Sequence, residues 1–198
     1  MGSALDRKPG RPRSEHARRA VLAAAGELLV GGGMAAVTME AVAARAGVSK
    51  VTVYKWWPSR GAVAVDAYFE RYRQTIAFDD TGDVAQDLQR QMTVLLRAFT
   101  GRAGALMAEL LGQAQSDPGL RETLRTRWIT PRREATLTVL RRGIERGQLR
   151  ADLDLEAFMD QLYAPLYFRL MVQHQPLDAK LPATLVRQTL EGARTTTR

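Results

Sequence analysis

Residues 48–60 read VSKVTVYKWWPSR. β-Branched and aromatic side chains dominate this run, so by propensity alone it reads as a strand. Periodicity decides against that. At the helical step, Val48, Val53, Trp56 and Trp57 fall within a sector about 100° wide, while Lys50, Val51, Tyr54 and Lys55 take the opposite side with Thr52 at its border. At the strand step, apolar and polar residues mix on both faces. The run predicts a helix, Ser49–Trp57, whose apolar face overrides its propensity.

Working outward, Thr38 is a natural N-cap for a short helix, MEAVAARA, that stops at Gly47, and Ser49 caps the next. Two short helices joined by a glycine-containing turn predict a helix-turn-helix, in which the second helix enters the DNA major groove. Pro58 ends that helix, and Ser59-Arg60-Gly61 opens another that runs to about Phe78. Upstream, Ser14 is the expected N-cap of a first helix. Ala17, Val21, Ala24, Ala25, Leu28 and Leu29 recur on one face until Gly31-Gly32-Gly33 ends the pattern.

The string TMEAVAARAGVSKVTVYKWWPSRGAV (38–63) resembles the DNA-binding segment of the tetracycline-repressor (TetR) family of bacterial transcriptional regulators. Residues 14–75 are similar to its whole three-helix module plus the linking helix. The resemblance implies roles. Lys50, Val51, Thr52 and Lys55 match groove-facing positions. There a lysine donates to guanine O6 and N7, and a valine or threonine methyl meets the methyl of thymine. Thr38, Ser49, Tyr54, Trp56 and Arg60 match positions that hold the phosphate backbone and set register. Many family members carry glycine or alanine where Val51 stands, so its larger side chain either touches a base or holds the helix slightly away. For Trp56, at the edge of the apolar sector, core packing is the competing assignment; Val53 and Trp57 are assigned to the core alone. The arm KPGRPR (8–13) is similar to minor-groove hooks, with a solubilising tail as the alternative.

Charge agrees with a nucleic-acid partner. Of the net +8, residues 1–60 hold 10 Lys/Arg against 4 Asp/Glu, and the remaining 138 hold 19 against 17. Hydrophobic residues make up 45% and charged residues 25%, enough for a core and a soluble surface. No uninterrupted apolar run reaches the roughly 18–20 residues of a membrane span. The absence of cysteine removes thiolate metal sites and cysteine nucleophiles and fits a reducing cytoplasm. His16 and His174 are the only imidazoles, and neither has a second histidine at ligand spacing, so neither a metal nor a cofactor is expected.

The chain therefore reads as all-α: a basic arm (1–13), a helix-turn-helix domain (14–60) with its linking helix (61–78), and a helical regulatory and dimerisation domain (79–198). In the last, Asp83 and Asp154 are expected caps, a short helix follows Asp117-Pro118, Pro131 opens a helix, and Pro165 sits inside another. Part of this region is similar to the C-terminal domain of one TetR subgroup. Tyr68, Tyr72, Met92, Phe99, Met107, Leu110, Trp128, Tyr163 and Tyr167 are candidates to line an effector pocket, with Gln113 and Arg169 as polar anchors. Leu155, Phe158, Met159, Leu162, Leu166 and Leu170, with Leu181, Leu185 and Leu190 of the last helix, form apolar stripes. Tyr163, Tyr167 and Phe168 lie on other sides of the same helix. That surplus predicts a dimer interface built as a four-helix bundle.

The expected function is a homodimeric repressor that binds a palindromic double-stranded operator and is released by a small apolar or aromatic effector. A DNA-binding structural protein without an effector is the alternative, separable by a ligand screen. An enzyme is disfavoured because no convergent acid/base set is present.

Overall fold

The computed structural model describes residues 11–72 and 79–193, and it divides into two compact units, Met1–Arg71 and Tyr72–Arg198. Every regular element among the described residues is a helix.

The first unit holds α1 (Arg11–Ala36), α2 (Met39–Ala46), α3 (Lys50–Tyr54) and α4, which starts at Arg60 and is described to Tyr72. Helix α1 begins at Arg11, so the backbone of Ser14 lies inside it and not at its start. Residues 1–10 of the expected arm, and 73–78 at the expected end of the linking helix, lie outside the described residues. The glycine run breaks α1 at one position: Gly33 adopts φ 65°, ψ −163°, a region that L side chains avoid. The segment Glu15–Ala36 is long and apolar enough to cross a membrane by length and composition, although Arg18, Arg19 and Glu27 interrupt its apolar residues. Its Val21, Leu22, Ala25 and Leu29 are buried within the first unit, so the helix reads as a core helix.

Helix α2 follows its sequence signals: Thr38 Oγ1 accepts from Ala41 N at 3.1 Å, and Gly47 closes it with φ 66°. Helix α3 is shorter than Ser49–Trp57. Ser49 caps it by accepting from Thr52 N at 3.2 Å, but beyond Tyr54 the backbone tightens. Trp56 N and Trp57 N both donate to Val53 O, at 3.1 and 3.0 Å, the first of these a three-residue spacing. That turn buries Trp57, whose Nε1 donates to Asp66 Oδ2 of α4 at 2.8 Å, and Pro58 follows with no N–H to continue the ladder.

The second unit comprises α5 (Val84–Ala98), α6 (Gly101–Gln113), α7 (Pro118–Leu124), α8 (Thr130–Glu145), α9 (Leu155–Val172) and α10 (Leu181–Glu191). Asp83, Asp117 and Asp154 cap α5, α7 and α9 through their carboxylates. Pro131 sits in the first turn of α8, as expected, but α8 follows α7 without a break, through a π turn, Arg125–Ile129. There Thr130 N donates to Arg125 O, and the widened turn admits a proline that donates to nothing. Helix α5 packs on α8 and α10, and α9 on α6, α8 and α10.

This packing corrects the dimer stripe. Phe158, Met159, Leu162, Leu166 and Leu170 of α9, with Leu181 and Leu190 of α10, are buried inside the unit itself, and Leu155 and Leu185 are half-buried. The stripe is this unit's own core face. Helix α9 has a second apolar surface, exposed on the other side: Ala164, Phe168, Met171 and Val172.

Candidate nucleic-acid interface and effector cavity

On the first unit, the α2–turn–α3 segment presents a compact outward face. Val51 is 80% exposed and Tyr54 52% exposed, with Lys50 and Lys55 beside them. Val53 and Trp57, on the inward face, are 0% and 1% exposed. A valine and a tyrosine thus stand in water between two lysines, on the side of α3 away from its packed face. The Ser49 and Thr52 hydroxyls lie 2.9 Å apart, which stiffens the first turn of α3. Lys50 Nζ donates to Glu40 Oε1 at 2.7 Å. That hydrogen bond holds the Glu40 carboxyl below the usual carboxylate range and raises Lys50 in turn. Trp56 is half-buried and meets Trp57 edge to face, 5.7 Å between ring centroids. Arg60 is exposed at the start of α4, next to Ser59, whose Oγ accepts from Ala62 N at 3.2 Å.

The second unit contains a cavity of about 430 Å³ lined by Gln91 and Leu95 of α5, Leu111 of α6, Ile129, Arg132 and Arg133, and Asp160, Tyr163, Ala164 and Tyr167 of α9. Its walls are mainly apolar, with a polar cluster at the α8–α9 contact. Arg132 is buried and its guanidinium stacks on Trp128, 3.6 Å from the ring centroid. Trp128 Nε1 donates to Tyr167 Oη at 3.0 Å. Thr136 Oγ1 donates to the Arg132 carbonyl at 2.9 Å and lies 3.0 Å from Tyr163 Oη. Thr136 has one proton to give, so Tyr163 is the donor in that second contact. Burial pushes the Tyr163 hydroxyl up to about 12 and Tyr167 upward too, against the opposing effects of their hydrogen bonds and of the Arg132 charge. Both phenols are therefore protonated at neutral pH. Arg133 is clamped by Glu156 and by Asp160, the latter at 2.6 Å.

Family models match both units: "Bacterial regulatory proteins, tetR family" over residues 21–66, and "Tetracyclin repressor-like, C-terminal domain" over 78–189. The chain belongs to the TetR family. It is 38% identical to the uncharacterized HTH-type transcriptional regulator YdeS of Bacillus subtilis, over 97% of both chains. It is 29% identical to the DNA-binding transcriptional repressor TetR of Mycobacteroides abscessus, over 90% of this chain and 94% of that one. The crystal structure of the TetR family transcription regulator SCO0332 superposes with a TM-score of 0.76 at 42% identity, covering 89% of this chain and 98% of that one. These relatives are transcription regulators and not enzymes, and the helix-turn-helix with its helical companion domain is the architecture of the TetR family.

Against this TetR-family frame, the nine residues matched to DNA contact gather on one segment, from the Thr38 cap to Arg60. Glu40, which holds Lys50, was missed because a ten-residue separation gives no periodic signal. Of the pocket candidates, only Tyr163 and Tyr167 line the cavity, and Trp128 stands behind them. Met92, Met107 and Leu110 are fully buried core, as is Tyr68 in the first unit; Tyr72 and Gln113 do not line the cavity. Phe99 packs on Tyr167 at 4.9 Å and, with Arg169, borders a different depression beside Gln173 and Pro176. Arg169 donates to the Pro176 carbonyl at 2.7 Å, so it anchors a loop. Gln91 and Arg132 were missed, although Arg132 had a signal: it falls four residues after Trp128, on the same helical face.

Proposed function

We propose that this chain is a repressor that binds a palindromic operator as a homodimer and releases it when a small molecule fills the cavity of the second unit. The exposed Val51–Tyr54 face between Lys50 and Lys55 carries the DNA half of this reading. Lys50, Val51, Thr52 and Lys55 read bases, while Thr38, Ser49, Tyr54, Trp56 and Arg60 hold phosphates. One α3 spans only a few base pairs, too few to mark a site, so two modules related by a two-fold axis are required. The exposed apolar face of α9, centred on Ala164 and Phe168, supports self-association. Such a protein works in the cytoplasm, where its operator lies.

Release requires that the effector bind more tightly to a state whose two recognition helices no longer match the operator. The cavity, apolar with one polar cluster, has the character of a small-molecule site. Selection of bound sequences from random duplex DNA tests the first half. A two-fold symmetric consensus supports the reading, and an asymmetric or absent consensus overturns it. A structural DNA-binding protein would show no consensus and no ligand-dependent release.

A further inference from the structure

The neutral polar groups on the cavity wall restrict what the effector is, and the inference rests on the effector reading above. Gln91 of α5 lines the cavity and is 5% exposed, and its Oε1 has no hydrogen-bond partner. An unserved buried acceptor destabilises a fold, and a leucine or methionine would fill the same place without that cost. Position 91 falls on the buried face of α5 with Leu88, Met92 and Leu95, so packing alone does not call for an amide there. On the α9 wall, an indole N–H only donates, so Tyr167 accepts from Trp128 and keeps its own proton to offer. Tyr163 gives its proton to Thr136, which leaves Tyr167 as the phenol that donates to a ligand.

An acceptor on α5, a donor on α9 and apolar walls beside them call for a molecule that carries the reverse pair. We propose that the cavity binds an apolar molecule bearing a hydroxyl or N–H and, separately, a carbonyl. The hydroxyl or N–H donates to Gln91 Oε1, the carbonyl accepts from the Tyr167 O–H, and the body lies against Leu95, Leu111 and Ile129. A molecule without a donor would seal the Gln91 acceptor from water and leave it unserved. A carboxylate facing Gln91 would set lone pair against lone pair. An ammonium would bring its donor as a buried charge, and Asp160, the carboxylate on the described lining, is already held by Arg133.

The test is titration calorimetry of the full-length protein with a hydroxytetralone and a hydroxyacetonaphthone, each beside its methoxy and unsubstituted forms. The methoxy form lacks the proton, and the unsubstituted form lacks the bulk. At least one hydroxy compound should bind about tenfold more tightly than both of its partners, the worth of serving a buried acceptor. Gln91→Leu should abolish that preference while keeping or raising the melting temperature of the unliganded protein. If it fails to melt cooperatively, Gln91→Met replaces it with the same expectation. Tyr167→Phe should weaken the hydroxy and methoxy compounds alike, because both keep the carbonyl. Equal binding within both sets, a preference that survives at position 91, an unchanged affinity in Tyr167→Phe, or no binding by any member overturns the proposal. Operator release by a compound without a hydroxyl or N–H, bound as tightly, would keep the effector reading and sink this ligand class. A hydroxy compound that binds selectively while DNA stays bound would keep the ligand class and sink the effector reading.

Discussion

Lys50 of α3 donates to Glu40 of α2 at 2.7 Å, so a lysine on the exposed face of α3 is held by a carboxylate of the preceding helix. Both side chains are more than half exposed, which makes the contact easy to break. On the proposed reading, operator binding exchanges this contact for a base or phosphate. Glu40→Gln should therefore tighten DNA binding by up to about fivefold, most at low salt, because it removes both a competing partner and a negative charge at the interface. Gel-shift titrations at two salt concentrations read this directly, and weaker binding by the variant would refute the exchange. Because Lys50 lowers the Glu40 pKa, the pair is complete at neutral pH and is lost only as pH falls through that lowered value.

Tyr54→Phe should weaken DNA binding by about 1 kcal/mol, the net value of one hydrogen bond, and by the same amount on every sequence. Lys50→Ala and Lys55→Ala should instead change the selected consensus. Consensus sequences identical to that of the parent protein for both lysine variants would remove them from base readout.

Trp57→Phe should destabilise the protein by about 1–3 kcal/mol, since the part-buried Asp66 loses its indole donor and the core loses volume. Thermal unfolding followed by circular dichroism measures it. A change below about 0.5 kcal/mol would show that Asp66 finds an equivalent partner elsewhere.

Gly33→Ala should cost about 1–3 kcal/mol, because alanine at φ 65°, ψ −163° is strained. Gly31→Ala, two residues earlier, is helical with open space where its Cβ would lie, and should gain up to about 1 kcal/mol. Equal effects at the two sites would mean that the glycines act only through the unfolded chain.

Phe168→Glu should convert a dimer of twice the 22.0 kDa chain mass into a monomer while leaving the melting temperature of the isolated chain nearly unchanged. Leu162→Ala should do the reverse: it should lose about 2–5 kcal/mol of fold stability with no specific effect on assembly. Light scattering combined with denaturation separates the two. A monomeric parent protein at micromolar concentration would refute the interface.

The contrast between Phe168 and Leu162 shows where the sequence was legible. A heptad-like stripe states that a helix has an apolar face, and it reads the same whether that face meets its own chain or another. The recognition segment was readable because Thr38, Gly47, Ser49 and Pro58 each have a local physical job, and because the two tryptophans fall on one side only when stepped as a helix. The cavity was not. Large aromatic and methionine side chains such as Met92 and Met107 fill space, and the wall of an open volume is left to Leu95, Leu111 and Ile129, which look in the sequence like any other apolar helix residues. Three-dimensional packing alone decides which of them face each other across a gap.

The π turn at Arg125–Ile129 acts as a phase setting. One surplus residue in that turn rotates everything after it by about 100° relative to an unbroken α-helix. The angle at which Arg132 enters the cavity is thus written upstream of Arg132. Removing Thr126 would leave every residue of α8 intact and yet turn the Arg132 guanidinium away from Tyr167, so that a deletion outside the lining would reshape the cavity wall.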